Sequence, residues 1–404
     1  MKKRIYLDYA ATTPVDPKVQ KAMAPYLKGM FGNPSSAHWF GQQTKTAIEK
    51  ARGIVSSFLN ARPQEIVFTS GATEANNLAI QGVLRNLVSQ KETKFLPAHI
   101  ITSAIEHESV LSSCEVLEQE EIAEVTYIPV DKEGVVRVED VKNAVKENTA
   151  LVSIMYANSE IGTVQPIAEI GEMIRELKTK NYKLKTVFHT DAVQAVQFLD
   201  CDVQKLKVDL LTVSSHKIYG PKGAGALYVK DGISIAPLIY GGGQEQGMRS
   251  GTENVAAIVG MGVAIGEISR FAGSRVAGQN PVQNIKIRQL RDLLIRGILK
   301  NVKGAELTGS KTSRLPNNVH VRVQGVEGRD MVVSLDQKGI AISSGSACSE
   351  KNQEPSHVLL ALGYSLEEAS SGVRITLGKN TTQDEIQKGM KVFILAVEQL
   401  RRSL

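Results

Sequence analysis

Short apolar runs alternate with segments of helical periodicity from about residue 65 of the 404-residue chain. Strands are predicted for six runs rich in β-branched residues: EIVFTS (65–70), HIITSA (99–104), ALVSIMYA (150–157), TVFHTD (186–191), DLLTVSS (209–215) and GALYVK (225–230). Helices are predicted for TEANNLAIQGVLRNLV, VEDVKNAVKEN and PIAEIGEMIRELKTK, with Thr73 and Pro166 at two of the helix starts. Such alternation predicts an α/β fold with a mainly parallel sheet between layers of helices.

The chain from about residue 285 has a different pattern. It predicts a helix (287–302), a strand (317–323), a helix (329–339), a strand (373–378) and a final helix that reaches Leu404. This order is typical of a smaller α+β domain. The polar segment 271–284, which is interrupted by Gly and Pro, is interpreted as a hinge or a surface crossing.

The length and composition fit a soluble protein with more than one domain. Hydrophobic residues make up 42% of the chain and charged residues 22%, which is ordinary for globular proteins. A chain of this length usually divides into two domains. We expect a large domain over residues 16–260 and a small domain formed by residues 1–15 together with residues 261–404.

The charge pattern argues against nucleic-acid binding. The net charge of +6 comes from 48 basic and 42 acidic residues. The densest basic runs, Lys2-Lys3-Arg4 and Arg401-Arg402, lie at the two ends of the sequence rather than in a stripe. A basic nucleic-acid-binding protein is therefore a weak alternative, and the aromatic content of 5% also disfavours it.

The cysteines and the apolar stretches indicate a cytoplasmic protein. The chain has three cysteines, Cys114, Cys201 and Cys348, without the paired spacing of a disulfide framework or a zinc site. The N-terminal segment MKKRIYLDYA is not followed by the apolar region of a signal peptide. The longest apolar stretch, residues 255–266, is about half as long as a membrane-spanning helix. We expect neither a bound metal nor a membrane partner.

Polar and small residues follow five of the predicted strands. The segments at these strand ends are SGATEANN, IEHESV, NSEIG, TDAVQ and SSHK. In open α/β sheets, ligands bind beyond the carboxyl ends of the strands. The sequence therefore predicts a functional site that draws residues from all five strand ends.

The turn Ser70-Gly71-Ala72-Thr73 predicts an anion site. A turn of small residues that leads from a strand into a helix exposes backbone N–H groups at the positive end of the helix dipole. The alternative is a plain helix cap by Thr73. No nucleotide fingerprint accompanies the turn, since GPKGAG lacks the dinucleotide order and Ser310 stands where a P-loop needs lysine. The anion is therefore expected to be a phosphate of something other than a mononucleotide.

Asp191, His107, His216 and Lys217 complete the predicted chemistry. Asp191 at a strand end is suited to pair with a protonated ring nitrogen, as pyridoxal phosphate requires, or it is an ordinary turn former. The two histidines are either site residues or satisfied structural ones. A partly buried lysine loses its proton more readily and then forms a Schiff base with an aldehyde; the alternative for Lys217 is an ion pair. Their occurrence together at adjacent strand ends favours the cofactor interpretation.

Cys348 differs from the other two cysteines. Cys114 lies in a helical pattern and Cys201 beside a charged turn, and both are expected to be structural. Cys348 lies in ISSGSACSEKNQEPSHV, a polar stretch of small residues without apolar periodicity. Such a loop is expected to expose the thiol for reaction, although an incidental surface cysteine is the alternative.

The chain resembles the cysteine desulfurases of the class V aminotransferase family, which are pyridoxal-phosphate enzymes of fold type I. The resemblance rests on motifs that run in the family's order from end to end: YLDYAATTPVDP, FGNPSSAH, EIVFTSGATEANNLAI, EHESVL, SIMYANSEIGTVQPI, HTDAVQAV, SSHKIYGPKGAGALYV, GMRSGTEN, SSGSACSE with EPSHVL, and VRITLG. It implies a large cofactor-binding domain with a mainly parallel sheet and a small α+β domain that carries the cysteine loop.

The resemblance also implies a set of cofactor-binding residues. They are Ala72, Thr73, His107, Asn158, Asp191, Gln194, Ser214, His216, Lys217 and Thr252. Lys217 would hold pyridoxal phosphate covalently while His107 stacks on the ring. Asp191 would pair with the ring nitrogen and Gln194 with the ring hydroxyl. Thr73, Ser214 and His216 would hold the phosphate, and Thr252 would reach it from a second subunit, because the family is homodimeric.

The reaction implied by the resemblance is the removal of sulfur from L-cysteine. Asn158 would lie beside ring and substrate, and Arg374 would bind the substrate carboxylate. Cys348 would take the sulfur as a persulfide, release L-alanine and pass the sulfur to an acceptor protein of iron–sulfur cluster assembly or tRNA thiolation. Three departures bear on this: Gln246 replaces a usual Arg near the phosphate, Gln353 replaces a usual Leu, and the sequence stops at EQLRRSL without the tail that some relatives use to dock a scaffold protein.

Other pyridoxal-phosphate activities remain as alternatives. An aminotransferase would not need Cys348, whereas a selenocysteine lyase would share much of the site. A non-catalytic scaffold protein would need neither Lys217 nor Cys348.

Overall fold

The computed structural model describes residues 4–89, 97–181, 185–270, 281–345 and 355–402. Its strands are β1 Ile5–Tyr6, β2 Ile66–Thr69, β3 Ala98–Ser103, β4 Ala123–Ile128, β5 Thr149–Ser153, β6 Val187–Asp191, β7 Leu210–Ser214, β8 Gly225–Val229, β9 Ala305–Leu307, β10 Asn318–Val323, β11 Ile340–Ala341 and β12 Gly372–Thr376. Its helices are α1 Pro17–Met23, α2 Trp39–Leu59, α3 Ala72–Ser89, α4 Glu108–Gln119, α5 Val138–Ala144, α6 Ile167–Lys180, α7 Val203–Leu206, α8 Val255–Arg270, α9 Pro281–Asn301, α10 Gly328–Gln337, α11 His357–Ala361, α12 Leu366–Ser370 and α13 Gln383–Arg402.

A seven-stranded sheet forms the centre of the fold. Its strand order is β2-β8-β7-β6-β5-β3-β4. The pairs β7-β6, β6-β5, β5-β3 and β3-β4 are parallel, and β8 runs antiparallel to both β2 and β7. The predicted α/β fold with a mainly parallel sheet is confirmed.

Two smaller sheets connect the beginning of the described chain with its last third. Strands β9, β10 and β12 form an antiparallel sheet, and β1 pairs in parallel with β11. An isolated bridge between Asp8 and Thr376 joins the segment after β1 to β12. This arrangement agrees with a small α+β unit that includes the N-terminal residues. The domain boundaries at residues 15 and 260 remain predictions.

The central sheet is buried on both faces. Phe68, Ile101 and Val152 belong to one apolar cluster, whereas their strand neighbours Ile100 and Leu151 belong to a second cluster on the opposite face. Helices α3 and α4 pack together on the side of the second cluster, and α2 packs against α8 on the other side. Strands covered on both faces appear in the sequence as continuous apolar runs. None of the described helices has the length and apolar character needed to cross a membrane.

The structure differs from the predicted elements at β5, at β4 and at the predicted hinge. The strand predicted for residues 150–157 ends at Ser153, because the backbone then leaves β5 and donates from Tyr156 N to Asp191 O at 2.8 Å. Strand β4 was not predicted, since this edge strand has exposed and half-exposed positions between its two buried ends. Residues 281–284 are helical, while residues 271–280 of the predicted hinge lie outside the described residues. The final helix is described as far as Arg402, and residues 403 and 404 of that prediction lie outside the described residues.

A buried ion pair joins α2 to the loop that precedes α8. Arg52 donates from Nη1 and Nη2 to Glu245 at 2.9 and 2.7 Å, and the Glu245 carboxylate also accepts from Phe68 N in β2 at 2.8 Å. Glu245 and the following Gln246 both have left-handed backbone angles, φ +47° and +60°. These angles are unfavourable for non-glycine residues, so the ion pair holds the loop in a conformation that it would not otherwise prefer.

Replacing Glu245 by Gln should lower the free energy of unfolding by about 3 kcal/mol, because the buried Arg52 guanidinium loses its buried charged partner and keeps only the exposed Glu49. Urea denaturation measures this change. The control is Asp336→Asn, whose partner Arg4 is exposed, and this variant should stay within about 0.5 kcal/mol of the wild type. A loss of less than about 1 kcal/mol for Glu245→Gln would contradict the assignment.

Candidate active site

A cavity of about 580 Å³ lies at the carboxyl ends of the parallel strands. It is lined by residues that follow β2, β3, β5, β6 and β7, by Ala10, Ala11 and Thr12 from the N-terminal segment, and by Arg374 from β12. The five strand ends that the sequence singled out are therefore adjacent in the structure. Among the predicted site residues, those that line the cavity are Ala72, Thr73, His107, Asp191, Gln194, Ser214, His216, Lys217 and Arg374.

Lys217 is held over the cavity by backbone carbonyl groups. It ends a short helical turn, Ser215–Lys217, that follows β7 directly. Its Nζ donates to Ala10 O at 2.5 Å and to Ala11 O at 2.8 Å. The amine is half-buried, and these two backbone carbonyls orient it. Such a placement suits an amine that must react with a carbonyl group.

Asp191 and His107 are connected through two side chains that the sequence analysis did not identify. Buried Asn76 of α3 donates from Nδ2 to Asp191 Oδ2 at 2.8 Å and to Ser109 Oγ at 2.9 Å. Ser109 Oγ lies 2.9 Å from Nδ1 of His107, the N-cap residue of α4. Asp191 Oδ1 accepts in addition from Val193 N at 2.9 Å. One continuous network therefore orients both the carboxylate and the imidazole.

The cavity lining at the start of α3 and after β7 offers hydrogen-bond donors for an anion. Helix α3 begins at Ala72, so Thr73 lies inside the first turn and the alternative role as its cap is wrong. The hydroxyl of Ser214 is buried and has no hydrogen-bond partner among the described residues. Burial lowers the pKa of His216 to about 4, and the charges of Lys217 and Lys222 contribute to this decrease. The imidazole is neutral in this positive surrounding, which favours an anionic ligand.

Glu74 and Arg249 form a charged pair beside the start of α3. Glu74 lines the cavity in the first turn of α3, and its carboxylate accepts from Ser70 N at 2.8 Å. Arg249 Nε donates to the same carboxylate at 2.8 Å. The Arg249 charge compensates a carboxylate that would otherwise repel an anion. This role of Arg249 was not predicted from the sequence, where only the loss of a basic residue at Gln246 was noted.

The residues around the cavity fit pyridoxal phosphate. The unpartnered Ser214 hydroxyl and the N–H groups at the start of α3 provide donors for a phosphate. Asp191 provides a carboxylate for a protonated ring nitrogen, and Lys217 an amine for an aldehyde. Gln194 lines the same cavity and is oriented by a hydrogen bond from Nε2 to Ala10 O at 3.1 Å.

Arg374 enters the cavity from the small antiparallel sheet. It is 2% exposed, and it donates from Nη2 to Asp8 at 3.0 Å and from Nη1 to Ser159 O at 3.1 Å. Asp8 follows β1, so the N-terminal segment orients this guanidinium in the same way that Ala10 and Ala11 orient Lys217. Asp8, Ala10 and Ala11 belong to the motif YLDYAATTPVDP, but their contacts with Arg374 and Lys217 were not predicted from the sequence.

Two of the predicted site residues, Asn158 and Thr252, are not among the residues that line the cavity. The side chain of Asn158 is buried and turned toward the backbone, donating to Ile105 O at 2.9 Å and accepting from Glu160 N and Ile161 N at 2.9 Å. It therefore shapes the loop whose residues Ala157 and Ser159 line the cavity. Thr252 is exposed on the loop before α8. Cys348, like Gln353, lies outside the described residues.

The buried acid Glu106 lies close to the site. Its Oε1 accepts from Ser103 Oγ at 2.5 Å and from Met155 N at 2.9 Å. Burial raises the pKa of Glu106 to about 8, and the nearby charge of Asp191 adds to the increase. Cys114 and Cys201 are buried as predicted, and burial raises the pKa of both thiols.

Comparisons with known proteins agree over nearly the whole chain. The family model described as aminotransferase class-V matches residues 5–388. Cysteine desulfurase IscS of Dictyoglomus turgidum is 45% identical over 401 residues, which cover 99% of this chain and 96% of that protein. Cysteine desulfurase IscS of Clostridium botulinum is 46% identical over 404 residues, with coverage of 99% and 96%.

Solved structures show the same similarity. A NIFS-like protein has a TM-score of 0.84 and 36% sequence identity, covering 98% of this chain and 100% of the other. A structure described as SspA in complex with cysteine has a TM-score of 0.78 and 36% identity, covering 94% and 100%.

Replacing Asn76 by Ala should weaken the binding of pyridoxal phosphate about tenfold, because Asp191 and Ser109 lose their shared donor. Titration of the apoprotein with the cofactor, followed by visible absorption, measures the dissociation constant. Asn148→Ala is the control, since Asn148 makes one exposed hydrogen bond to Pro97 O. Equal affinities of Asn76→Ala and the wild type would show that the network does not orient the site.

Replacing Glu106 by Gln should remove a pH dependence of stability. The native state keeps a proton on Glu106 up to about pH 8, whereas the unfolded chain releases it near pH 4.3, at about the ordinary pKa of glutamate. The native state therefore binds more protons, and its stability falls as pH rises toward 8, by at most about 1.4 kcal/mol per pH unit. Urea denaturation at pH 6 to 8 should show a flatter slope for Glu106→Gln. The exposed variant Glu120→Gln should keep the wild-type slope, and an unchanged slope for Glu106→Gln would contradict the assignment.

Proposed function

The chain belongs to the aminotransferase class-V family, and we propose that it is a pyridoxal-phosphate-dependent cysteine desulfurase. Relatives that are themselves cysteine desulfurases share 44–46% identity with nearly the whole chain, and one structural relative is described in complex with cysteine. The observation that carries the proposal is the cavity at the strand ends. It gathers an amine, a carboxylate, an imidazole and a guanidinium, from Lys217, Asp191, His107 and Arg374.

Each residue around the cofactor has a separate task in this proposal. Lys217 anchors the cofactor covalently and moves a proton at its Nζ, which the carbonyls of Ala10 and Ala11 orient. Asp191 would pair with the ring nitrogen of the cofactor and His107 would stack on its ring, and the Asn76 and Ser109 network orients both side chains. When bound, pyridoxal phosphate supplies an electron sink for the charge that develops on the substrate.

The phosphate and the ring hydroxyl are held by the remaining cavity residues. Ala72 and Thr73 contribute the start of α3, and Ser214 and His216 the end of β7 and the turn that follows. Gln194 binds the ring hydroxyl. Asn158 acts beside the ring by fixing the backbone at Ala157 and Ser159.

The substrate carboxylate binds to Arg374, whose guanidinium is suited to a bidentate contact. Asp8 and the Ser159 carbonyl fix the orientation of this side chain. The thiol of Cys348 then attacks the sulfur of the substrate. The carbon–sulfur bond of cysteine breaks, a sulfur–sulfur bond forms, and L-cysteine plus the thiol become L-alanine plus an enzyme persulfide. This role of Cys348 rests on the family motif SSGSACSE.

The protein is proposed to act as a homodimer. Phe31, Trp39 and Phe40 form an exposed aromatic cluster at the start of α2, with ring centroids 5.1 and 5.6 Å apart. Large exposed apolar patches of this kind mark interaction surfaces. A second subunit that covers this patch would let the exposed Thr252 reach a phosphate across the interface, as in the family.

The sulfur is proposed to pass to an acceptor protein in the cytoplasm. The relatives named IscS support a scaffold protein of iron–sulfur cluster assembly, and a tRNA-thiolation protein is the alternative acceptor. The two buried cysteines are free thiols, which agrees with a reducing compartment.

The first test compares the wild type with Cys348→Ala and Lys217→Ala. The wild type should show visible absorption from bound pyridoxal phosphate and release L-alanine from L-cysteine. Cys348→Ala should keep the absorption and lose at least about 100-fold in alanine formation, while Lys217→Ala should lose covalent cofactor attachment as well. Lys205→Ala, an exposed lysine outside the cavity, is the control.

A colourless wild-type protein would contradict the cofactor assignment, and full alanine release by Cys348→Ala would contradict the sulfur-transfer mechanism. Selenocysteine as a competing substrate separates a desulfurase from a selenocysteine lyase.

A further inference from the structure

Two buried ionisable side chains, Glu160 and His320, lie next to Arg374 and are not among the residues that line the cavity. Glu160, which precedes α6, is 1% exposed, and His320 of β10 is fully buried. Neither carboxyl oxygen of Glu160 has a hydrogen-bond partner of regular geometry among the described residues, and the same holds for Nε2 of His320 and Nε of Arg374. Buried polar atoms without partners are rare in native proteins, so such a concentration requires an explanation.

The imidazole of His320 lies between Thr308 and Glu160. Thr308 Oγ1 contacts Nδ1 of His320 and lies 3.3 Å from His320 O. In the tautomer in which Nδ1 donates to Thr308, Nε2 is the unprotonated nitrogen and accepts. Nε2 lies 3.5 Å from Glu160 Oε1, so the two side chains are in contact.

Charges around the pair favour one proton on Glu160. Burial raises the pKa of Glu160, and Ser356, Arg374 and His357 offset only part of the increase. Burial lowers the pKa of His320 to about 3, with further decreases from Arg314 and Arg374. A neutral acid that faces a neutral imidazole is therefore the arrangement with the least buried charge.

The protonation of Glu160 matters for its neighbour Arg374. The Arg374 guanidinium is already bound to the Asp8 carboxylate and to the carbonyl of Ser159, the residue before Glu160. A second carboxylate beside this guanidinium would compete with an incoming substrate carboxylate, since two anions at one cation disfavour each other. A neutral Glu160 removes that competition.

We propose that Glu160 is a positioning residue, which stays protonated against His320 and thereby keeps the Arg374 guanidinium available to the carboxylate of the substrate. The inference rests on the proposed function, because Arg374 binds the substrate carboxylate there. Glu160 acts through Arg374 and does not itself line the cavity. It also holds the loop in place, since its carbonyl accepts from Asn318 Nδ2 at 2.9 Å.

Infrared difference spectroscopy of the holoenzyme tests the proton directly. The spectrum of wild type minus Glu160→Gln at pH 7 should contain the carbonyl stretch of a neutral carboxylic acid. Carboxylate bands without this stretch would overturn the proposal. The measurement needs no turnover, so it remains informative if the protein proves not to release alanine from cysteine, which would overturn the proposed function instead.

Steady-state kinetics with L-cysteine test the positioning role. Glu160→Gln, which keeps a neutral side chain of the same shape, should retain KM within about threefold of the wild type. Glu160→Ala is also neutral, but it removes the contact with His320 Nε2 and empties the space beside the Arg374 guanidinium, so it should raise KM about tenfold and change kcat by less than about threefold. Glu306→Gln, an exposed glutamate of β9, should behave like the wild type. Equal losses in Glu160→Gln and Glu160→Ala, or a loss confined to kcat, would overturn the proposal.

Discussion

Burial of the central sheet on both faces is the constraint on which the rest of the molecule depends. Strands between two apolar layers leave no room for charged side chains along their length. The charged side chains of the candidate site are therefore placed where the strands end, and parallel strands end at one common edge. Asp191, Ser214 and Lys217 lie at that edge because β6 and β7 stop there. The position of the candidate site therefore follows from the topology of the sheet.

The sequence predicted the central strands because continuous β-branched runs are typical of strands covered on both faces. It missed β4, whose edge position allows charged and exposed residues. It also extended β5 too far, because residues 154–157 are as apolar as a strand although they leave the sheet to form the wall of the cavity. A local sequence pattern indicates which residues are buried, but it does not indicate where the backbone leaves the sheet.

Many of the residues that line the cavity were predictable, whereas the residues that orient them were not. Lys217, Asp191 and Arg374 stand in motifs whose residue types suggest their chemistry. Asn76 looked like an ordinary helical residue. Its role comes from hydrogen bonds to Ser109 and Asp191, which lie 33 and 115 positions further along the chain. The same is true of Glu160, whose partners come from β10 and β12. Contacts of this kind depend on tertiary structure and leave no local signal.

The N-terminal segment has a consequence for the order in which the molecule is made. Residues 5–11 are synthesised long before their partners, since β1 pairs with β11, Asp8 binds Arg374, and Ala10 and Ala11 hold Lys217. These partners follow hundreds of residues later. The central sheet can collapse during translation, but the Lys217 amine and the Arg374 guanidinium acquire their final orientation only after β12 has been made. A nascent chain therefore carries no finished candidate site before β12 has emerged.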